Sequence, residues 1–228
     1  MQLRTMLVAV APAAALAVGV PATASAATIA PTKACYTNVP TKQSENITFT
    51  ISGGTPGGRF QVAVESYGVL SGNFDGAGNA TPTLSGKFGM GTIGPVSGKT
   101  FPVTLTEYTA GGPAVTGTTT VKATNAALDI ARKPTNPFRT RTWRVSGLSP
   151  LFGGGRLYAS YVNGKGSSSK VVKRVRLGSP NACGYLKVKR LLPPKRAYRT
   201  WTVFVHVGPS LDKNKSLAFN FRTFKRYY

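Results

Sequence analysis

The chain has 228 residues, with 29 lysines and arginines against six aspartates and glutamates, and its formal net charge is +23. Hydrophobic residues make up 41% of the chain and aromatic residues 10%, which is too much apolar surface for a disordered protein and indicates a folded one. Six carboxylates and a single histidine leave few groups for acid–base catalysis or metal binding, so most hydrolase and metalloenzyme chemistries are disfavoured. We predict no catalytic residues, no cofactor and no metal site.

The N-terminus has the pattern of a secretory signal peptide. Arg4 precedes an apolar run over 7–20, and Ala24, Ser25 and Ala26 supply the small residues of a cleavage site. A membrane span needs about 20 apolar residues, and this run is shorter. We therefore expect cleavage after Ala26, with 1–26 as the signal peptide. The product is expected to be extracellular, without a transmembrane segment, and held at the cell envelope only by non-covalent contacts.

The remaining chain shows short runs with a period of two, separated by glycine, proline, asparagine and aspartate. Apolar and polar residues alternate over 47–51, 60–64 and 103–106 in the first half, and over 186–189, 201–207 and 217–222 in the second. This pattern is typical of β-sandwiches. Asn163-Gly164 favours a hairpin turn. Prolines at 134 and 137 interrupt the pattern, so we predict an all-β protein with two domains, 27–131 and 132–228.

The charge is divided unequally between these two predicted domains. Residues 27–131 carry six basic residues against five acids, a net charge of +1, whereas 132–228 carry 22 against Asp212 alone, a net charge of +21. Strand alternation places the apolar residues of the second domain inward and several cations outward. The predicted outward cations are Lys170, Arg174, Arg176, Lys187, Lys189 and Arg222. Lys173 breaks the alternation, which indicates a bulge or an edge strand there.

Like charges on neighbouring outward positions of a sheet repel each other, so such a surface is costly unless a counter-charge binds it. One interpretation is a surface for a polyanion, with Tyr185, Tyr198 and Tyr228 adding stacking contacts. Outside the cell the partner would be an anionic envelope polymer or polysaccharide, extracellular nucleic acid or anionic lipid. The other interpretation is a solvated basic face on a protein that recognises a protein partner.

The two cysteines, Cys35 and Cys183, fall one in each predicted domain. Paired cysteines are usual in exported proteins, so we predict a disulfide between the two domains. A catalytic cysteine would need His206, which alternation places beside Phe204 as a passive strand residue. The glycines of 89–94 match a dinucleotide motif, but Pro95 and Gly98 prevent the helix that this motif requires. Residues 94–100 approach a phosphate loop, but that motif needs four residues between its glycines and here there are three.

Several segments are similar to those of a known group of proteins: 31–36 (PTKACY), 74–81 (FDGAGNAT), 181–186 (NACGYL) and 191–193 (LLP). On these the chain resembles secreted actinobacterial proteins with tandem immunoglobulin-like domains. The resemblance implies an Ig-like or fibronectin-III-like β-sandwich in each half, and it brings no catalytic residues. Antibody domains carry both cysteines in one sandwich, whereas each half here has one.

Overall fold

The structure is a computed structural model that describes residues 26–39, 45–65, 67–85, 94–131, 139–164, 170–192 and 200–223. The predicted signal peptide before residue 26 lies outside them. The strands of the first half are β1 (Thr28–Pro31), β2 (Tyr36–Asn38), β3 (Ile47–Ser52), β4 (Arg59–Val64), β5 (Gly68–Asn73), β6 (Thr83–Leu84), β7 (Lys99–Thr109) and β8 (Gly112–Asn125). Those of the second half are β9 (Ala127–Ile130), β10 (Thr140–Ser146), β11 (Leu157–Asn163), β12 (Val171–Gly178), β13 (Leu186–Leu191), β14 (Thr200–Val207) and β15 (Ser216–Arg222). A short helix α1 spans Leu148–Leu151, and a 3₁₀ turn spans Lys213–Lys215.

Within the described residues, the first half forms two facing sheets. The strand orders are β1-β3-β6 and β2-β8-β7-β4-β5, with β2 parallel to β8 and the other neighbours antiparallel. The apolar side of each alternating run turns inward, so Ile47, Phe49 and Ile51 meet Phe60 and Val62 in one core. This is the arrangement of a β-sandwich.

The second half repeats this plan with orders β9-β10-β13 and β12-β11-β14-β15, all antiparallel. Trp143 and Trp201, from opposite sheets, are fully buried in its core. In both halves the chain crosses repeatedly between the two sheets, as in immunoglobulin-like Greek-key sandwiches. The predicted all-β class with two tandem sandwiches is confirmed. Within the described residues, no helix is long and apolar enough to cross a membrane.

The predicted hairpin at Asn163-Gly164 forms, but not with a two-residue turn. β11 ends at Asn163 and β12 begins at Val171, and the two strands pair as antiparallel neighbours. Gly164 donates its backbone N–H to the carbonyl oxygen of Thr200 (2.9 Å), so it follows β14 rather than turning into β12. The connection therefore spans several residues, of which 165–169 lie outside the described ranges.

The chain begins to pair with strands of the second sandwich before residue 132, the predicted boundary. β9, which the sequence pattern assigned to the first domain, pairs with β10, and Ile130 packs in the second core. Only Ala126 separates β8 from β9. The prolines at 134 and 137 follow β9, so they mark the connection from β9 to β10 and not the junction between sandwiches.

The junction is closely packed around Gly147. Its φ is +79°, and a β-carbon on it would lie 2.7 Å from the Cα of Ala126, so only glycine fits. Its carbonyl oxygen accepts from the Thr37 hydroxyl (3.1 Å), and its N–H donates to the carbonyl oxygen of Cys183 (3.0 Å). Backbone from both sandwiches thus meets at one residue.

A disulfide joins Cys35 to Cys183, which confirms the predicted pairing. Both cysteines are buried. Gly98, in the loop before β7, has a φ of +120°, and a β-carbon on it would lie 2.7 Å from the Cys183 sulfur. Asn181 Nδ2 donates to the Ser97 carbonyl oxygen (3.1 Å) in the same place. Gly98, one of the two glycines that imitate a phosphate loop, therefore lets this loop pack against the disulfide.

Candidate functional site

The six cations that alternation placed outward are all exposed: Lys170, Arg174, Arg176, Lys187, Lys189 and Arg222. For the five that lie in strands, the exposure follows from alternation, because each belongs to the face of its sheet that does not contribute to the core; Lys170 lies just before β12. Lys187 lies opposite Arg144, and Arg176 lies opposite Tyr158. Whether these residues bind a polyanion remains a prediction.

Five of the six cations lie on or beside two edge strands. Arg174 and Arg176 are on β12 at the edge of the four-stranded sheet, with Lys170 just before it, and Lys187 and Lys189 are on β13 at the edge of the three-stranded sheet. Arg222 is on β15, at the other edge of its sheet, with β11 and β14 between it and β12. At about 4.8 Å per strand, that separation is about 14 Å.

Arg190 shows that β12 and β13 are neighbours in space although they belong to different sheets. Its Nη2 donates to the carbonyl oxygens of Arg176 (3.4 Å) and Leu177 (3.3 Å), and its Nη1 donates to that of Lys189 (2.9 Å). The guanidinium therefore connects the two edge strands. We call the surface formed by Lys170, Lys173, Arg174, Arg176, Lys187, Lys189 and Arg190 the basic edge.

Lys173 lies on the same side of β12 as the core-facing Val175 and Leu177, and not with the outward Arg174 and Arg176. Ordinary alternation places it there, because Ala159 pairs with Val175 and Tyr161 pairs with Lys173 in regular register. The register shift comes directly after this pair, where Val162 pairs with Val171, so Lys173 lies beside an irregularity on an edge strand, as the sequence pattern predicted.

A cavity of about 280 Å³ opens between the two sheets at the basic edge. It is lined by Thr140, Tyr161, Lys173, Val175, Lys189, Arg190 and Leu191. The Tyr161 hydroxyl donates to the carbonyl oxygen of Leu191 (3.0 Å). Burial raises the pKa of Tyr161 far above its ordinary value, and the positive charge of Arg190 only partly offsets this, so Tyr161 stays neutral.

The second half of the chain has few carboxylates to balance these cations. Asp129 pairs with Arg144, at 3.0 Å between Oδ2 and Nη1, on the face of the three-stranded sheet that also carries Lys187. Asp212 accepts from the backbone N–H of Asn214 (2.9 Å) and caps the 3₁₀ turn. Two carboxylates cannot neutralise the 22 basic residues that follow residue 131.

His206 lies on the outer face of the four-stranded sheet, as predicted, but it is buried, with 1% of its surface exposed. Its Nε2 is 2.8 Å from the Ser160 hydroxyl oxygen. Arg174 Nε donates a hydrogen bond to the same oxygen (3.4 Å). Burial lowers the pKa of His206, and the charge of Arg174 acts in the same direction, while the backbone at Val207 and Gly208 opposes it. With Ser160 fully buried as well, this pair has no access to a substrate.

The other features that the sequence pattern singled out are not members of the basic edge. Tyr185 lines a groove of about 600 Å³ at the junction, together with Asp129 and Arg144. Tyr198, Tyr228 and most of the dinucleotide-like motif lie outside the described residues. Among the described residues, no three side chains of the metal-binding types lie together.

Sequence reasoning missed Thr140, Tyr161 and Arg190 as members of the candidate site. Tyr161 and Thr140 carry no signal, because their place depends on how two sheets pack. Arg190 follows Lys189 in a run of alternating cations, and its role as a connection between strands depends on carbonyl groups of a different strand. Lys173 alone had a signal, since it broke the strand alternation.

No protein-family model matches the chain, and no curated protein matches it. Solved structures are similar at low identity. The human OSCAR ligand-binding domain is 12% identical with a TM-score of 0.35, over 86% of this chain and 97% of that one. The periplasmic chaperone SfaE is 8% identical with a TM-score of 0.27, over 77% and 91%. CBD12 from CALX1.2 is 8% identical with a TM-score of 0.26, over 80% and 82%.

Proposed function

We propose that this is a secreted, non-catalytic binding protein that engages an anionic polymer at the cell envelope through the basic edge. One observation carries the proposal: the exposed cations at 170, 173, 174, 176, 187 and 189 lie on or beside two edge strands of different sheets, which run side by side at one edge of the sandwich. A surface of one sign attracts ligands of the other sign and raises their local concentration.

The distribution of charge supports this proposal further. The first sandwich is nearly neutral, so the attraction comes from one end of the molecule. The disulfide fits an oxidising compartment, in which extracellular polymers are the accessible anions. The first sandwich then serves as a spacer that is held against the binding sandwich.

The proposal is tested on the full chain with two variants that lose the same charge. The edge variant replaces Lys170, Arg176, Lys187 and Lys189 with glutamine. The control variant replaces four exposed cations elsewhere, Lys99, Lys122, Arg156 and Lys215, with glutamine. Arg174 is left in place because it donates a hydrogen bond to Ser160.

Binding of each protein to duplex DNA and to poly(glycerol phosphate) is measured across a salt series. Each phosphate contact contributes about −0.9 to the slope of log affinity against log salt for a duplex, so loss of four contacts in the edge variant should reduce the slope by about 3.6. The control variant should keep most of the slope. Equal losses in the two variants would mean that net charge alone attracts the polymer, and a flat salt response of the unmodified protein would overturn the proposal.

A protein partner is the second candidate, and exposed apolar residues on edge strands favour it. Val69 on β5 is 59% exposed, and Val172 on β12 and Leu191 on β13 are each 47% exposed. Edge strands with open backbone groups can add a strand from another chain. Binding to a protein ligand that persists at high salt, and that is lost on V69K, would favour this candidate.

A further inference from the structure

We infer that the groove at the junction of the two sandwiches binds a neutral sugar chain. Its volume of about 600 Å³ lies within the range of about 300–1,000 Å³ that is usual for small-ligand sites. The lining comes from both sandwiches: the loop before β7 contributes Gly94 and Pro95, and β9, β10 and Tyr185 contribute the rest. Such a site goes beyond the proposed function, because none of its lining residues belongs to the basic edge.

The lining of the groove has no net charge, in contrast to the molecule as a whole. Among the described residues that line it, the charged ones are Asp129 and Arg144, which form an ion pair with 3.0 Å between Oδ2 and Nη1. An anion in the groove would meet the Asp129 carboxylate, and a cation would meet the Arg144 guanidinium. The groove therefore favours an uncharged ligand, although the net charge of the protein is +23.

The ion pair retains groups that can bind a hydroxyl ligand. Both side chains are nearly half exposed, and within the described residues the second carboxylate oxygen of Asp129 and the Nε and Nη2 groups of Arg144 have no hydrogen-bond partner. A sugar hydroxyl donates one hydrogen bond and accepts others, so neighbouring hydroxyls of one ring can donate to Asp129 and accept from Arg144. Hydrogen bonds to a charged group are about twice as strong as those between neutral groups.

Tyr185 supplies an aromatic surface in the same groove. It is half-buried, and within the described residues its hydroxyl makes no hydrogen bond and its ring makes no aromatic or cation contact. The C–H groups on the face of a sugar ring can pack on such a ring, while the hydroxyls at its rim stay available for polar partners. The other described tyrosines all use their ring or hydroxyl within the fold: Tyr36, Tyr67, Tyr108, Tyr158 and Tyr161.

The two sides of the groove are held together before any ligand binds. Asn181 Oδ1 accepts from the backbone N–H groups of Cys183 (3.0 Å) and Tyr185 (2.9 Å), which fixes the turn that carries Tyr185. Its Nδ2 donates to the carbonyl oxygen of Ser97 (3.1 Å), in the loop before β7. The disulfide at Cys183 also packs against this loop. Because the groove is already formed, little ordering is needed when a sugar binds.

Binding of the full chain to chitohexaose, cellohexaose and mannohexaose, three uncharged oligosaccharides, is measured by isothermal titration calorimetry. At least one should bind, and its affinity should change by less than about twofold between about 50 and 500 mM salt, because an uncharged ligand releases no counterions. The edge variant should bind the same sugar as well as the unmodified protein does.

Variants of the lining should weaken this binding. Y185A removes the ring that the sugar covers and should reduce the affinity by about tenfold, and Y185F should reduce it less. D129N should also reduce it by about tenfold, as for the loss of a charge-assisted hydrogen bond. The control Y108A removes an accessible tyrosine from the first sandwich and should bind normally. Melting temperatures identify the variants that fold, and Y185F and D129N, which preserve the side-chain shape, decide the test if Y185A does not.

Hexagalacturonate, an acidic oligosaccharide of the same length, tests the preference for an uncharged ligand. At high salt, where the attraction of the basic edge is screened, it should bind more weakly than the neutral sugar. D129N should narrow this difference, because the carboxylate that repels the acid is gone. If hexagalacturonate instead binds more tightly than every neutral sugar and is lost in Y185A, the groove is an anion site and the assignment to a neutral sugar is wrong.

The remaining outcomes separate this site from the basic edge. If none of the three neutral sugars binds, the groove is not a sugar site, whether or not poly(glycerol phosphate) binds to the basic edge. If a sugar binds but Y185A and D129N behave like Y108A, it binds elsewhere and the assignment of the groove fails. Loss of sugar binding in Y185A and D129N, with normal binding in the edge variant, would support the groove even if no anionic polymer binds.

Discussion

The row of side chains Arg174, Ser160 and His206 shows how a polar group becomes buried on the outer face of a sheet. Arg174 Nε donates to the Ser160 hydroxyl oxygen, which lies 2.8 Å from His206 Nε2. Which of these two groups donates depends on the tautomer of the imidazole. Tyr158 stacks on the ring, with centroids 6.2 Å apart, and contributes to its enclosure. A protonated imidazole would be buried and would face the charge of Arg174.

The protein should therefore lose stability as the pH falls from about 7 to 5. Because the folded state lowers the pKa of His206, the unfolded chain binds more protons below the unfolded value of about 6.5, and protonation favours unfolding. Carboxylates titrate mostly below this window. Denaturant unfolding at a series of pH values should show the slope, and H206Q, whose side-chain oxygen can accept from Ser160 without titrating, should flatten it. An unchanged slope in H206Q would assign the effect to another group.

At the scale of elements, strand alternation was informative where a strand has one buried face. It predicted the outward cations of β12 and β13, because every second residue faces the same way. It did not predict the cavity, since this depends on two edge strands from different sheets approaching each other. The register shift beside Lys173 also depends on the partner strand β11, about ten residues away. Local pattern thus indicated which residues are exposed, but not which strands become neighbours.

Relief of charge repulsion on these strands should stabilise the fold. Each single change from lysine or arginine to glutamine at 170, 176, 187 or 189 should alter the free energy of unfolding by no more than about 0.5 kcal/mol. The combined edge variant should melt at a higher temperature than the unmodified protein at low salt, with a smaller difference at high salt, where charges are screened beyond about 8 Å or less.

R190Q serves as the contrast, because it should destabilise the protein at every salt concentration. It removes a guanidinium that connects the two edge strands through three carbonyl oxygens. The four cations replaced in the edge variant lie on outward positions and do not connect the strands in this way. A destabilised edge variant, or a neutral R190Q, would show that these roles are assigned the wrong way round.

At the scale of the molecule, the two sandwiches are joined twice, through the chain at Ala126 and through the disulfide from Cys35 to Cys183. The sequence predicted the second connection from the cysteine count, but it misplaced the first. A junction of one small residue leaves no compositional signal, whereas the prolines further on give a strong one. The hydrogen bonds of Gly147 to Thr37 and Cys183 bring the two connections together.

Removal of the disulfide should destabilise the protein strongly. The two cysteines are 148 residues apart, and closing a loop of that length corresponds to about 5 kcal/mol in the chain-entropy model. The double variant C35A/C183A should show a loss of this order in denaturant unfolding. Peptides containing Cys35 and Cys183 should also be linked in a digest made without reductant, and freely alkylated thiols in the unreduced protein would contradict the pairing.

The same disulfide determines how the folded protein would carry a mechanical load. A force applied between residues 27 and 223 passes along the chain to Cys35, crosses to Cys183 and continues from there, so the segment between the two cysteines bears no tension. That segment includes most strands of both sandwiches, from β2 to β12. Only β1 and the last three strands can be drawn out while the bond is intact. Reduction would release a further extension of about 500 Å, at about 3.4 Å per residue. A molecule pulled between residues 27 and 223 would thus lengthen only a little before it resists.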